Sequence, residues 1–192
     1  MKVSIISCTP DPEQVCARAA SICYKSEPSI KVLKHCLEAG HLSIFEHASI
    51  TFLIEGISRV TSHQLVRHRI GWSYSQVSQR YTGCSREDVI IPPELTEHKK
   101  DLDNVFDIAY KTYQKLLNQG AKKEDARYVL PNAATTDIVA TANLRALLNY
   151  FPLRLCKRAQ WEIRDMSYLM LDHCKRLAPN VFENVGPGCK YC

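Results

Sequence analysis

The densest run of chemically capable residues in the 192-residue chain is Arg67-His68-Arg69-Ile70-Gly71-Trp72-Ser73-Tyr74-Ser75-Gln76-Val77-Ser78-Gln79-Arg80-Tyr81. It opens on two guanidinium forks around an imidazole, continues in hydroxyls and amides, and closes on Arg80-Tyr81. From Gly56 to Arg86 there are five arginines (Arg59, Arg67, Arg69, Arg80 and Arg86) and no Asp or Glu. A guanidinium binds phosphate through two parallel N–H bonds, and Ser and Gln side chains complete an oxygen shell. Trp72, Tyr74 and Tyr81 offer flat faces on which a heterocycle can stack. The run suits a ligand that is part ring and part phosphate, such as a nucleotide. A solvated basic loop with a few core aromatics is the competing reading, and composition alone does not separate the two.

The elements that must position this run can be read on either side of it. Ala48–Glu55 is rich in β-formers and reads as a central strand. After Gly56, a helix is expected over Ile57–Arg69 with Ser58 as N-cap. Gln64, Arg67 and His68 would then share one face at i, i+3 and i+4, Leu65 and Val66 would pack, and a loop would carry the rest of the run. Upstream, Lys2–Ser7 reads as a strand. A helix opens at Asp11-Pro12-Glu13 with Val15, Ala19 and Ile22 inward, and a second spans Ser29–Ala39 and stops at Gly40. His41 and His47 are too far apart for one helix face, so the stretch from 40 to 47 reads as a loop rather than a helical zinc pair.

Downstream, Val89–Ile91 reads as a short strand stopped by Pro92-Pro93. A long helix over Glu97–Gln119 carries the apolar stripe Leu102, Val105, Phe106, Ala109, Tyr113, Leu116 and Leu117. Lys122–Leu130 is helical, with Arg127 set among apolar neighbours; an exposed helical arginine is the ordinary alternative. Thr135–Thr141 is a strand, and Asn143 caps a helix over Leu144–Tyr150. Lys157–Leu177 forms the last long helix, with Trp161, Met166, Leu169, Met170 and His173 inward. The fold class is α+β: one domain over residues 1–192, a mixed or mostly antiparallel sheet with packed helices, and a Cys-containing tail at about 184–192. No linker, repeat or low-complexity run interrupts it.

Apolar residues make up 45% and charged residues 23%, ordinary values for a globular chain. A net charge of +5 fits anionic partners of any kind. No apolar run approaches the ~20 residues of a membrane span, and the first residues are too short an apolar run for a signal peptide. A cytoplasmic protein with no membrane partner is expected. In a reducing compartment most of the nine cysteines are expected as thiols, with Cys8, Cys16, Cys23 and Cys36 as small core residues. Cys189 and Cys192 form the only CxxC; with Cys84 and Cys174 they could hold zinc, but a lone CxxC is a weak signal and no metal site is assigned.

Arg67-His68-Arg69 followed by Ser73-Tyr74-Ser75-Gln76-Val77-Ser78-Gln79-Arg80-Tyr81 resembles the signature of the flavin-dependent thymidylate synthases: Arg-His-Arg, seven residues, Ser, one residue, Arg. Here eight residues separate Arg69 from Ser78, the addition falling within Ile70-Gly71-Trp72. Gly40-His41-x-Ser43-x-x-Glu46-His47, Arg127 ahead of Leu130-Pro131, Asn143-x-Arg145-x-x-x-Asn149 and Ala159-Gln160-Trp161-Glu162 are similar to further family segments, so the resemblance spans about residues 40 to 162.

The resemblance implies a thymidylate synthase-complementing-like fold and reductive methylation of dUMP to dTMP. The carbon would come from 5,10-methylenetetrahydrofolate and the hydride from FAD reduced by NADPH. FAD contacts fall to Ser43, Arg67, His68, Arg69, Gln76, Asn143, Arg145 and Asn149. dUMP contacts fall to Gln64, Arg67, Gln76, Ser78, Gln79, Arg80, Arg127 and Arg154. His41 and Tyr81 would stand where folate reaches the flavin, and Glu46 would support nearby cations. Arg154 would lie against the pyrimidine as the activating residue. C5 of uracil is a poor carbon nucleophile, and a cation beside the ring stabilises the negative charge that develops there. No His or acid is evidently paired with Ser78 and no motif cysteine faces a pyrimidine, so no covalent bond to the nucleotide is expected. The family is homotetrameric with sites shared between subunits. The absence of G-x-G-x-x-G and of a Walker loop fits a flavin gripped by side chains from several segments.

Two other classes compete. A nucleic-acid-binding module would use the basic stripe and its aromatics, though no usual nucleic-acid signature is present. A zinc-stabilised interaction protein would use His41, His47, His63, His68 and the tail cysteines, whose spacings match no recognised zinc motif.

Overall fold

Strand pairing places the central run at the edge of one antiparallel sheet. A computed structural model describes residues 1–23 and 25–189. Its strands are β1 (Lys2–Cys8), β2 (Ser49–Ser58), β3 (Trp72–Gln76) and β4 (Thr135–Asn143), in the order β1-β2-β4-β3. All three pairings are antiparallel. On the central strands Ile50, Phe52 and Ile54 of β2 and Ile138, Ala140 and Ala142 of β4 are buried at every second position. That is the period-2 pattern of a sheet with one covered face.

Eight helices surround the sheet among the described residues. They are α1 (Pro12–Ile22), α2 (Ile30–Glu38), α3 (Arg59–Leu65), α4 (Lys99–Asn118), α5 (Lys123–Ala126), α6 (Leu144–Arg154), α7 (Trp161–Leu177) and α8 (Pro179–Phe182). Short 3-10 turns cover Leu42–His47, Pro93–His98 and Arg127–Val129. The core joins the sheet to Leu147, Tyr150 and Phe151 of α6, Ile163, Met166 and Met170 of α7, and Phe182 of α8. Phe151 and Phe182 meet edge to face at 5.9 Å. No helix of the described residues is long and apolar enough to cross a membrane.

Several elements depart from the sequence reading. The helix expected to reach Arg69 ends at Leu65, so Gln64, Arg67 and His68 do not share a helical face. The reason is local: the Tyr74 hydroxyl lies 3.0 Å from the Leu65 carbonyl and 2.9 Å from that of His68, so a side chain meets carbonyls that further turns would have used. The expected loop is partly β3, because Trp72, Tyr74 and Gln76 turn inward and Ser73 and Ser75 outward along β4. Helix α6 runs on through Pro152 to Arg154. The expected helix from Lys122 to Leu130 is only α5 followed by a 3-10 turn at Arg127. Val89 makes a single bridge to Ala134 rather than a strand. On α1 the buried residues include Cys16, Ala17 and Ala20, while Ile22 is 71% exposed and Cys23 is exposed. On α4, Val105 is exposed, and on α7 Leu169 is exposed while Ile163 and Cys174 are buried. Helix α7 begins at Trp161, not Lys157, because the Gln160 side chain caps it by accepting from Ile163 N–H at 3.1 Å. Of the tail CxxC, Cys192 lies outside the described residues.

Glu162 anchors α3. It is 2% exposed and accepts hydrogen bonds from Ser58 N–H at 2.7 Å, from Ser58 Oγ, and from Thr61 Oγ1 at 2.7 Å. Ser58 in turn caps α3 by accepting from Thr61 N–H at 3.1 Å. Glu162→Ala would strand these buried donors. Urea unfolding is expected to show a loss of about 2–3 kcal/mol, with Glu162→Gln losing less; equal stability of Glu162→Ala and wild type would contradict the anchor.

Candidate active site

The turn after α3 carries the Arg-His-Arg run, and its shape depends on Gly71. Gly71 has φ of +75°, and a Cβ there would fall 2.8 Å from Asn143 Nδ2 and 2.9 Å from Ala146 Cβ. Asn143 N–H donates to the Gly71 carbonyl at 3.1 Å, and Asn143 Oδ1 caps α6 by accepting from Ala146 N–H at 2.8 Å. A left-handed residue with no room for a side chain thus seats the turn on the start of α6. Ile70, within the stretch that carries the added residue of the motif, is 94% exposed in this turn.

His68 and Arg154 meet beneath this turn. Arg154 Nε donates to His68 Nε2 at 2.9 Å, and Arg154 Nη2 donates to the Gln64 carbonyl at 3.2 Å. His68 packs edge-on to Tyr150 at 4.8 Å, and Trp72 lies 5.1 Å from Tyr150. Burial pushes the imidazole pKa down to about 4, and the positive charges of Arg154 and Arg67 push the same way. The ring is therefore neutral near pH 7. Since Nε2 accepts, its proton sits on Nδ1.

The remaining sequence candidates fall into separate groups. Arg127 and Gln79 line a cavity of about 270 Å³ with Arg59, His63, Tyr128 and Asn132. Arg59 was counted in the sequence but given no role. Its Nη2 donates to the Val77 carbonyl at 3.0 Å, while its buried Nε has no partner among the described residues. Burial lowers the Arg59 pKa; Cys84 raises it and Arg127 lowers it further. No sequence signal separates Arg59 from a surface arginine; only the fold covers its Nε. Arg80 pairs with Glu124 at 2.9 Å, and Ser78 Oγ accepts from Arg80 N–H at 3.3 Å. Gln76 donates to Ser62 Oγ at 2.9 Å and Thr136 Oγ1 at 3.2 Å, so its amide N–H is engaged within the fold.

On the other side of the turn, Arg145 pairs with Glu46, which ties α6 to the 3-10 turn bearing Ser43. His41, Ser43 and Asn149 are exposed, and so is Tyr81, at 73%. Arg67 and Arg69 are exposed, with no hydrogen-bond or ion-pair partner for their guanidinium groups among the described residues. Trp72 and Tyr74 stack on each other at 5.6 Å instead of standing open to a ligand. A cavity of about 710 Å³ lies elsewhere, between Cys84–Arg86 and α4. It holds none of the motif residues; the chemistry, not the volume, marks the site.

The sequence profile of the family described as "Thymidylate synthase complementing protein" (Thy1) matches residues 4–180. The chain belongs to this family. It is 44% identical to the flavin-dependent thymidylate synthase of Geobacter sulfurreducens over 98% of this chain and 88% of that protein. It is 43% identical to the flavin-dependent thymidylate synthase of Sulfurisphaera tokodaii over 98% of this chain and 79% of that one. Among solved structures it is similar to a UMP/dUMP methylase, PolB, from Streptomyces cacaoi, determined with 5-Br dUMP bound. The TM-score is 0.79 at 25% identity, covering 95% of this chain and 93% of that one. The Thy1 match takes in every segment on which the Arg-His-Arg turn is built, from β2 to α7.

Two measurements follow from this geometry. Unfolded histidine takes up its proton near pH 6.5, and folded His68 only near pH 4. The unfolded state binds more protons across that window, so the His68 contribution to stability is complete above pH 6.5 and is lost as the pH falls toward 4. Urea midpoints measured from pH 7 to pH 4 should fall less steeply in His68→Gln than in wild type; identical slopes would contradict the assignment. Gly71→Ala should cost about 1–3 kcal/mol through backbone strain and the clash with Asn143; a neutral effect in the same assay would show that the turn has slack.

Proposed function

We propose that the protein is a flavin-dependent thymidylate synthase. It would methylate dUMP to dTMP with 5,10-methylenetetrahydrofolate as carbon donor, FAD as cofactor and NADPH as reductant. The observation that carries this reading is the convergence of the Arg-His-Arg turn with Arg154, in a chain that aligns with 88% and 79% of two relatives named for that activity. The solved methylase with a bromo-dUMP bound supports a uridine nucleotide as substrate.

The residues present fit a flavin. Arg67 and Arg69 offer open guanidinium forks for a pyrophosphate. Ser43, Arg145 and Asn149 add polar groups where α6 meets the 3-10 turn, and Gly71 keeps the backbone beside Asn143 clear of side chains. When bound, the flavin supplies the hydride chemistry that no side chain can.

For the nucleotide, Arg127 and the buried, unpartnered Nε of Arg59 would face the phosphate. Ser78, Gln79 and Arg80 would complete its shell, with Arg80 leaving Glu124 to do so. Gln64 and Arg67 would orient the ring, and Gln76 would act through its carbonyl oxygen. Arg154 would stand against the pyrimidine carbonyls and stabilise charge as C5 attacks the donor carbon. A neutral His68 suits that task, because it holds the guanidinium by accepting a hydrogen bond without cancelling its charge. His41 and Tyr81 would line the folate approach.

A homotetramer with shared sites belongs to the same proposal. Val105 and Ile108 on α4 and Tyr128 beside Arg127 are large apolar side chains left exposed in the single chain, as at surfaces that pair with another subunit.

The test is dTMP formation from dUMP, methylenetetrahydrofolate, NADPH and FAD, followed by chromatography. Arg154→Lys should lower kcat about 100-fold, the scale of losing one aimed donor. Arg127→Ala should raise the KM for dUMP about tenfold with a smaller change in kcat. No dTMP from the wild-type protein would overturn the reading.

A further inference from the structure

The chain near its described end returns to the site region. Cys189 comes back against Cys156, two residues past the end of α6. The Cys156 thiol donates to the Cys189 sulfur across 3.2 Å. A covalent S–S bond is about 2.05 Å long, so the sulfurs stand about 1 Å outside bonding distance.

This approach is built by the neighbouring backbone. Gly188 N–H donates to the Pro152 carbonyl at 2.9 Å, which satisfies one of the otherwise orphaned carbonyls in the last turn of α6. A Cβ on Gly188 would meet Pro152 Cβ at 2.9 Å, so the tail lies as close to the helix as a glycine allows. Arg154 and Arg158 line the same cavity of about 470 Å³ as the two cysteines. Cys156 is 8% exposed and Cys189 is only partly covered, so an outside reagent reaches Cys189 first.

We propose that Cys156 and Cys189 form a reversible disulfide that ties the tail to the end of α6. The reaction is thiol–disulfide exchange with a small disulfide such as oxidised glutathione. The Cys189 thiolate attacks one glutathione sulfur, and the other glutathione leaves as its thiolate. The Cys156 thiolate then attacks the Cys189 sulfur of the mixed disulfide and releases the second glutathione. Two protein thiols are oxidised, one glutathione disulfide is reduced to two thiols, and the two protons pass to the departing thiolates through water. The bond closes residues 157–188, with α7 and α8 inside the loop, and fixes one wall of the cavity that Arg154 lines. It needs neither nucleotide nor flavin, so its test is independent of the proposed activity.

The full chain is equilibrated in oxidised or reduced glutathione, quenched by alkylation and mapped by peptide mass spectrometry. The oxidised sample should give a Cys156–Cys189 linked peptide that dithiothreitol removes. Its melting temperature should exceed that of the reduced sample by about 4 °C or more, from cross-linking a long loop. Cys189→Ser should abolish both signals, and Cys192→Ser should keep both. A Cys189–Cys192 bond in the oxidised map, or glutathione retained on Cys189 while Cys156 is still alkylated, would overturn the proposal.

Discussion

One hydrogen bond, from Arg154 Nε to His68 Nε2, ties together the parts of the chain that the site needs. His68 belongs to the turn that follows α3, and Arg154 is the last residue of α6. The bond exists because burial keeps the imidazole uncharged; a protonated ring would have no lone pair to offer and would repel the guanidinium. Much of the surrounding structure serves to bring these two groups to 2.9 Å. Glu162 fixes the start of α3, the Tyr74 hydroxyl meets the Leu65 carbonyl at its end, and Gly71 lets the turn lie against Asn143. Asn143 then starts the helix that delivers Arg154.

The same arrangement separates two kinds of cation. Arg154 is held through Nε and Nη2, so its direction is set before any ligand arrives. Arg67 and Arg69 are exposed and held by nothing among the described residues. A preset cation suits charge that develops in a reaction, because no reorganisation is needed at that moment. Exposed cations suit the gathering of phosphates, where several geometries serve. Arg59 falls between the two: it is held at one end, while its buried Nε has no partner among the described residues.

The sequence made the types of the candidate site residues legible, and much of the fold as well. The α+β class was readable because the stretches that became β2 and β4 are rich in β-formers and stand between helical patterns. Ser58 and Asn143 announced themselves as caps by residue type and place. Strand β3 was missed because Ser73, Ser75 and Gln76 are loop-like in isolation; pairing with β4, some sixty residues on, decides their conformation. The end of α3 was missed for a related reason, since Tyr74 overrides a stretch of acceptable helix formers through a contact made only after the chain turns back. Glu162 could be noted in a familiar segment, but its burial against Ser58 joins residues 104 positions apart, and no local pattern reports that. On α1, the buried small residues Cys16, Ala17 and Ala20 carry the packing, so the larger Ile22 misled as a guide to the inner face.

The most direct test of the account is anaerobic flavin reoxidation. The protein is loaded with FAD, reduced with dithionite, and mixed with dUMP alone, methylenetetrahydrofolate alone, or both, while the visible spectrum is followed. The account predicts that the oxidised flavin bands return on the catalytic timescale only when both substrates are present. Reoxidation that ignores dUMP, or a protein that takes up no FAD, would contradict it.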